Sequence, residues 1–505
     1  MARAAGTAPV IVLLAGPTVV AFFSGGFFDE ARLWAGIAAW ALVAAAAIAG
    51  RRVLPRSAPG LVALGSLVLL TAWTAVSIAW VPMREAWLDD LQRLLLYVAA
   101  LASAAAWLRG RSPARAVEPA LAAGAFVIVA YGLSGRLLPG LIELDRSESA
   151  AGRLEQPITY WNAMGLVAAI GLVLCMRMAG DDSRSDRTRS LAAAAAAPLG
   201  AGVYLTLSRG ALAGLGAAVV VLVLLAATRT QLRATLLALL AAGAAALASG
   251  VFAEVRSLQG EPSGAVGEGL VVLVALAGIA IAAAVAQRRV AGAERTGRMR
   301  TGGLPLPRRA PVIAVGVLVL ALGTVLAASY REGRVAGAPT ESVETARLGS
   351  VESNRYAYWR VAINAFADQP VRGVGSGAFR QEWLRERELP EPAKDAHSLY
   401  IETAAELGLA GLALLALLFC GVAASGRRVH RRDPRLAVGW FAALVAWAVH
   451  AGLDWDWEMP AVTLIALAIA GAVIAAAEPE EENAPAAQEV PSPTSRAEPA
   501  AAGWQ

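Results

Sequence analysis

The sequence predicts an all-α polytopic membrane protein with about 12–14 transmembrane helices and one long outer loop carrying short helices. Three observations lead there. Mean hydropathy is +0.56, and 57% of the 505 residues are hydrophobic, more apolar surface than a soluble domain can hide. Apolar runs of about 18 residues or more recur along the chain. The runs are continuous rather than alternating. In lipid every backbone N–H and C=O must be satisfied internally, so such runs read as helices and not barrel strands.

Fourteen spans are expected, near 8–28, 32–50, 60–80, 91–108, 117–138, 160–179, 190–207, 210–228, 232–253, 268–287, 311–330, 398–424, 436–453 and 459–477. The first run has a single Arg3 before it and no small-residue cleavage site, so it reads as a span and not a cleaved leader. Cys175 and Cys420 fall inside apolar runs and read as buried small hydrophobes, not as a disulfide or metal site.

Arginine placement orients the bundle. With the N-terminus in the cytoplasm, six inside loops hold 24 Arg, whereas the short outside loops and their borders hold eight. That is the asymmetry of positive-inside topology, and it puts both termini in the cytoplasm. The net charge of +5 reflects these loops and does not indicate a nucleic-acid partner. Residues 331–396 form the long outer segment, and long segments cross regardless of charge. Within it, "YAYWRVAINAF" has helical periodicity and "FRQEWL" reads as a further turn or two. The Pro-, Ala- and Glu-rich tail 478–505 lacks the apolar content for a core and reads as disordered.

This topology brings polar residues to one face: Arg93, Asn162, "SRG" at 208–210, "DAHS" at 395–398 and "HAGLDWDWEMP" at 450–460. Charge at or in a bilayer is costly and marks a polar cavity or substrate path. Plainer readings stand beside this one. Arg209 can snorkel, Arg93 can pair with Asp89 four residues earlier, Asn162 can bridge helices, and the Trp–Asp turn can be an interfacial belt. The "GVGSG" at 373–377 has no P-loop lysine and reads as tight turns between an outer helix and the next span.

Arginines gathered without an acidic metal cage suit an anionic, lipid-linked substrate, because guanidinium forks match phosphate oxygens. Arg209, Arg355 and Arg93 are the candidates to stabilise charge on a diphosphate leaving group. His397 is the candidate general base for a hydroxyl nucleophile. Glu402 and Glu406, four apart, either bind sugar hydroxyls or pair with loop arginines. Asp454 joins the binding set with Asn162.

Three blocks carry a family resemblance: "LSRGALAGL" at 207–215, "NRYAYWRVAINAFADQPVRGVGSGAF" at 354–379 and "DAHSLYIETAAELGLAGLALL" at 395–415. The chain resembles the O-antigen ligase and O-antigen polymerase family of bacterial membrane glycosyltransferases. The resemblance implies N-terminal helices over 1–200 and a catalytic region over 201–477 that includes the outer loop. It implies transfer or polymerisation of an undecaprenyl-diphosphate-linked glycan to a glycan or protein hydroxyl, on the outer face of the cytoplasmic membrane and without metal or other cofactor. It assigns the diphosphate to Arg209 and Arg355 and catalysis to His397, with Arg360 and Arg372 as further candidates. Ser398 follows the histidine where many members have Asn. A protein O-oligosaccharyltransferase of the same family and a lipid-linked glycan flippase are the alternatives. A flippase would favour charge at the midplane and internal repeats, and no repeat is evident.

Overall fold

The uneven burial of equally apolar helices sets the architecture. The structure, a computed structural model, describes residues 7–257, 262–304 and 354–479. In chain order the helices are α1 Thr7–Ala21, α2 Asp29–Ile48, α3 Ala58–Val76, α4 Arg84–Trp107, α5 Arg111–Leu137, α6 Trp161–Gly180, α7 Asp186–Leu205, α8 Arg209–Leu225, α9 Arg229–Val251, α10 Pro262–Arg295, α11 Arg355–Asp368, α12 Phe379–Glu386, α13 Leu399–Arg432, α14 Pro434–Ala451 and α15 Pro460–Ala477. Among the described residues, nine of these are long and apolar enough to cross a membrane. The helices α1, α4, α7 and α8 stand at four further expected spans but are shorter or more polar. The expected span 311–330 lies outside the described residues.

Helix α6 is wholly buried and α15 nearly so, whereas α2 and α10 keep most of their surface open. A helix apolar all round is stable only inside protein or in lipid, and here the two fates are divided. Helix α6 packs against α5, α7, α8, α9 and α14, and α15 packs against α1 and α4. The open surfaces carry large apolar side chains such as Trp34, Ile48 and Val274, more than a water-facing surface carries. Cys420 is exposed on α13 rather than buried as expected, and both cysteines are free.

Polar residues start the helices. Ser57, Ser185, Ser208, Thr228, Ser398 and Asp433 each accept a backbone N–H from the first turn of α3, α7, α8, α9, α13 and α14, satisfying donors that a helix start leaves open. At the far end of the bundle Glu478, expected in a disordered tail, is ordered and 9% exposed, and it accepts from Arg56 N and from Ser57. Residues 480–505 of that tail lie outside the described residues. The loop arginines are more than topology signals. Arg184 pairs with Glu118 at 2.5 Å, and Arg189 and Arg233 both pair with Glu294.

The decisive irregularity is in α13. Gly408 has φ 63° and ψ −162°, a region essentially reserved for glycine, and the helix breaks there. Broken backbone at membrane depth survives only where protein re-satisfies it. The loop 370–377 does so. Leu409 N donates to Pro370 O at 2.8 Å, Val374 N to Ala405 O at 2.9 Å and Gly375 N to Glu406 O at 2.9 Å, while Trp73 Nε1 donates to Leu407 O at 3.0 Å. The contact is close enough to require glycine in the loop too, since a Cβ on Gly373 would lie 2.2 Å from the Glu406 carbonyl. The "GVGSG" run is thus a plug of tight turns, with φ above zero at all three glycines.

Gly408→Ala is expected to destabilise the protein by about 3 kcal/mol or more, since an L side chain is strained at that backbone and its Cβ would meet Val371 O at 2.4 Å. Thermal unfolding of the purified protein in detergent checks this. Gly278→Ala on α10, where a Cβ meets nothing within 4 Å, should leave Tm unchanged or slightly raised.

Candidate functional site

The starts of α4, α6, α11, α13 and α15 and the end of α14 converge at one end of the bundle, tied by side chains far apart in sequence. Asp454, in the turn between α14 and α15, is the hub. It is fully buried. Its Oδ2 receives Arg355 Nη2 at 2.6 Å. Its Oδ1 receives the Tyr160 hydroxyl at 2.7 Å and Trp455 N at 3.0 Å. Asn162 Nδ2 in turn donates to the Tyr160 oxygen at 2.8 Å. Asp454 and Asn162 therefore hold other groups in place rather than facing open space. Burial alone would push the Asp454 carboxyl up, but the Arg355 guanidinium holds it below the usual range. Burial likewise opposes the Arg355 charge, and Asp454 more than restores it. A buried charge kept in this way is stable only with its partner.

His397 lies beside this hub. Its φ is +56°, sparsely populated for a non-glycine residue, as strained active-site positions are. The ring sits between the Tyr358 and Trp455 rings, with centroids 5.1 and 6.0 Å away. His397 Nδ1 lies 3.0 Å from Asp395 O. A carbonyl only accepts, so Nδ1 carries the proton and Nε2 keeps a lone pair. Burial lowers its pKa, and Arg355 adds to that against the pull of Asp454. The sequence places a helix start after His397, and α13 does begin at Leu399, but burial is the larger cause of a neutral ring.

The other candidates divide. Arg209 is the first residue of α8 after the N-cap Ser208, and the next residue, Gly210, lies against the His450 ring, where a Cβ would come within 3.0 Å. Arg93 pairs with Asp90, and with Glu458 at 3.7 Å. The Asp89 expected to pair with it turns to Arg32 at 2.7 Å instead. Residues three apart on a helix face one another as readily as those four apart, and Glu458 supplies the deciding second anion. Arg360 pairs with Glu388 at 2.8 Å, and Arg372 lies exposed over the Trp80 ring, 5.5 Å from its centroid. Neither joins the Asp454 network.

Glu402 and Glu406 pair with no arginine among the described residues. Glu402 Oε2 accepts from Ala396 N at 2.7 Å. Glu406 accepts from Gly377 N and Phe379 N, both at 2.9 Å. It clamps the glycine plug to the start of α12. Asp395, Glu402 and Glu458 bring carboxylate oxygens within 4.8 Å of one another. Burial and neighbouring carboxylates such as Asp90 push Asp395 up to about 6. Burial, opposed by Arg93 and reinforced by Asp395, pushes Glu458 up to about 8.

Sequence reasoning missed the aromatic wall and the second histidine. Trp455 packs on Tyr160 and Phe27, and Arg153 lies over Trp161 at 3.6 Å. His450 Nδ1 meets Asp456 Oδ2 at 2.5 Å, both fully buried. A histidine at the end of an apolar run, four and six residues before Asp454 and Asp456, was the available signal.

Residues 263–416 match the family model described as O-antigen ligase. Over these residues the chain is similar to O-antigen ligases. The match takes in nearly all of α10, the short helices α11 and α12 and the first half of α13, and with them Arg355, Arg360, Arg372, His397, Glu402 and Glu406. Arg93, Asn162 and Arg209, on helices, and Asp454, in the α14–α15 turn, lie outside it. No curated protein matches the chain. The matched segment is thus set in a chain whose nine long apolar helices fit a multi-pass membrane protein.

Glu406→Ala would leave two loop N–H groups without an acceptor. It should cost roughly 1–3 kcal/mol for each one that stays buried. Hydrogen exchange checks this: amides across 374–379 should exchange about 10- to 100-fold faster, with α6 unchanged.

Proposed function

We propose that the protein transfers or polymerises an undecaprenyl-diphosphate-linked glycan onto a hydroxyl acceptor at the outer face of a bacterial cytoplasmic membrane. The single observation carrying this reading is that a neutral, strained His397 stands next to an arginine, Arg355, held in place by a buried aspartate, inside a matched O-antigen ligase domain.

In the reaction the acceptor hydroxyl oxygen bonds to the anomeric carbon of the donor sugar. The bond from that carbon to the diphosphate oxygen breaks, and its electron pair leaves with the diphosphate. His397 Nε2 takes the hydroxyl proton, a general-base step worth about 10²–10⁴ in rate. Arg355 and Arg209 are assigned to the departing diphosphate, where fixed donors are worth about 10²–10³. Asp454 and Tyr160 orient Arg355. His450, against Gly210, supports the turn that carries Arg209. The arginine count of the loops supports an outward-facing site with both termini in the cytoplasm.

His397→Ala and Arg355→Ala, expressed in a deletion strain, should each cut surface glycan by about 100-fold or more while the lipid-linked donor accumulates. Accumulated single repeat units mark a polymerase, and full-length unattached chains mark a ligase. Full complementation by both variants overturns the assignment.

The pH dependence follows from His397. Its base form is lost as pH falls through its folded pKa, and that pKa lies below the ordinary 6.5. Transfer by the reconstituted enzyme should therefore be flat near neutrality, with an acid limb whose midpoint is below pH 6.5. A midpoint above 6.5 would remove His397 as the base.

A further inference from the structure

No step of the glycan transfer uses the most deeply buried of the three histidines. His450 lies at the end of α14, and its side chain and that of Asp456 are both fully buried. His450 Nδ1 faces Asp456 Oδ2 at 2.5 Å. An ionised carboxylate only accepts, so Nδ1 donates. Nε2 and Asp456 Oδ1 have no hydrogen-bond partner among the described residues. Taking an ionisable pair out of water costs more than burying an apolar pair of the same shape, so stability is a weak reason for its presence.

What the ring touches is the start of α8, which packs on α14. A Cβ on Gly210 would lie 3.0 Å from both Nε2 and Cδ2 of His450, and a Cβ on Gly214 would lie 2.8 Å from Ala446 O. Gly210 and Gly214 share one face of α8, as Ala446 and His450 share one face of α14. Two small residues four apart let helix backbones approach closely, and here they bring the first turn of α8 against the last turn of α14. Arg209 is the first residue of α8 and the neighbour of Gly210. His450 also closes the turn that carries Asp454. Its carbonyl accepts Leu453 N at 2.8 Å, while the Asp456 carbonyl accepts Met459 N at 3.1 Å and the Thr463 hydroxyl at 2.7 Å. That turn holds Arg355 through Asp454. One imidazole therefore stands between the supports of the two arginines assigned to the diphosphate. It is 0% exposed, so it bears on them and not on a ligand.

We infer that His450, locked by Asp456, is a positioning residue that fixes where α8 begins, and so where Arg209 meets the diphosphate, relative to the turn that holds Arg355. This rests on the assignment of Arg209 to the diphosphate and adds the group that sets its place.

Titration of the full-length protein in lipid nanodiscs with farnesyl diphosphate, followed by calorimetry, tests it. Gly210→Ala makes the ring give by a few tenths of an ångström and leaves the His450–Asp456 pair intact. It should weaken binding about 10-fold, the lower end of what one hydrogen bond to a charged group contributes. His450→Ala should weaken it at least as much. Because it strands the buried Asp456, Gly210→Ala carries the test if that variant does not fold. Arg209→Ala should itself weaken binding about 10- to 100-fold. In that background neither change should cost more than about twofold, since effects exerted through one residue do not add. Losses that persist undiminished there would mean that His450 acts through Asp454 or the bundle at large, and overturn the inference. Wild-type affinity in both variants would overturn it equally. Arg355→Ala separates this from the parent reading. If it weakens binding while Arg209→Ala does not, the diphosphate site stands and the role given to His450 falls. If the unaltered protein does not bind, or neither arginine matters, the donor assignment falls and the inference with it.

Discussion

The break in α13 at Gly408 is the constraint on which the site depends. An unbroken helix would satisfy its own carbonyls and leave the outer segment tethered only at its ends. Because the helix stops at Gly408, the carbonyls of Ala405, Glu406 and Leu407 are free to receive donors from the glycine loop and from Trp73. The segment between Arg355 and Ser398 is thereby bonded to the bundle. Glu406 adds its carboxylate to the same joint. Helix α11, which carries Arg355, enters this joint through the loop that follows it, and His397 enters it through the start of α13. A single backbone irregularity therefore fixes both ends of the segment that holds the two leading candidates.

Charge is partitioned around that joint. On one flank Asp454 is committed to Arg355 and Tyr160, leaving a guanidinium held by a buried anion. On the other, Asp395, Glu402 and Glu458 crowd together with too few cations, and Asp395 and Glu458 rise in pKa as a result. Interior charge that is neither paired nor neutralised is not tolerated, so one flank is paired and the other is partly protonated. The two flanks therefore offer different chemistry to ligands, one cationic and fixed, the other rich in hydrogen-bonding carboxyls. His397 touches both groups, with its Nδ1 proton committed to the Asp395 carbonyl and its ring 6.0 Å from that of Trp455, next to Asp454.

The spans were legible because lipid imposes one rule on every helix, a long apolar run, and hydropathy records it directly. The convergence of Arg93, Asn162, Arg209, His397 and Asp454 was legible for a related reason, since arginine counts fix which loop ends share a face. The partners were not. Arg355 and Asp454 are 99 positions apart and Tyr160 and Asp454 are 294 apart, and no periodicity links such distances. Glu406 read as a ligand or ion-pair residue because a carboxylate shows its charge in the sequence but not the two loop amides it accepts. Trp455 reads as an interfacial belt residue because that is where such side chains ordinarily go, and nothing local in the sequence singles out Tyr160. Gly408 was one of 49 glycines, and nothing local separates a helix-breaking glycine from a packing one.

The domain match and the geometry divide the work in a way that bears on how such a site is built. The matched segment supplies His397, Arg355 and the plugged helix. Asp454, Tyr160 and Trp455, which contact them, come from helices and turns outside it, while Asp395 and Tyr358, also against His397, lie within it. A strained histidine and a desolvated arginine need rigid surroundings to balance the strain, and part of those surroundings comes from outside the segment that carries them. The two most buried spans, α6 and α15, provide that rigidity, and the Tyr160 and Asp454 contacts sit at their ends. The apolar core of the bundle therefore bears on the chemistry, since its packing holds the charged groups at the membrane surface in register.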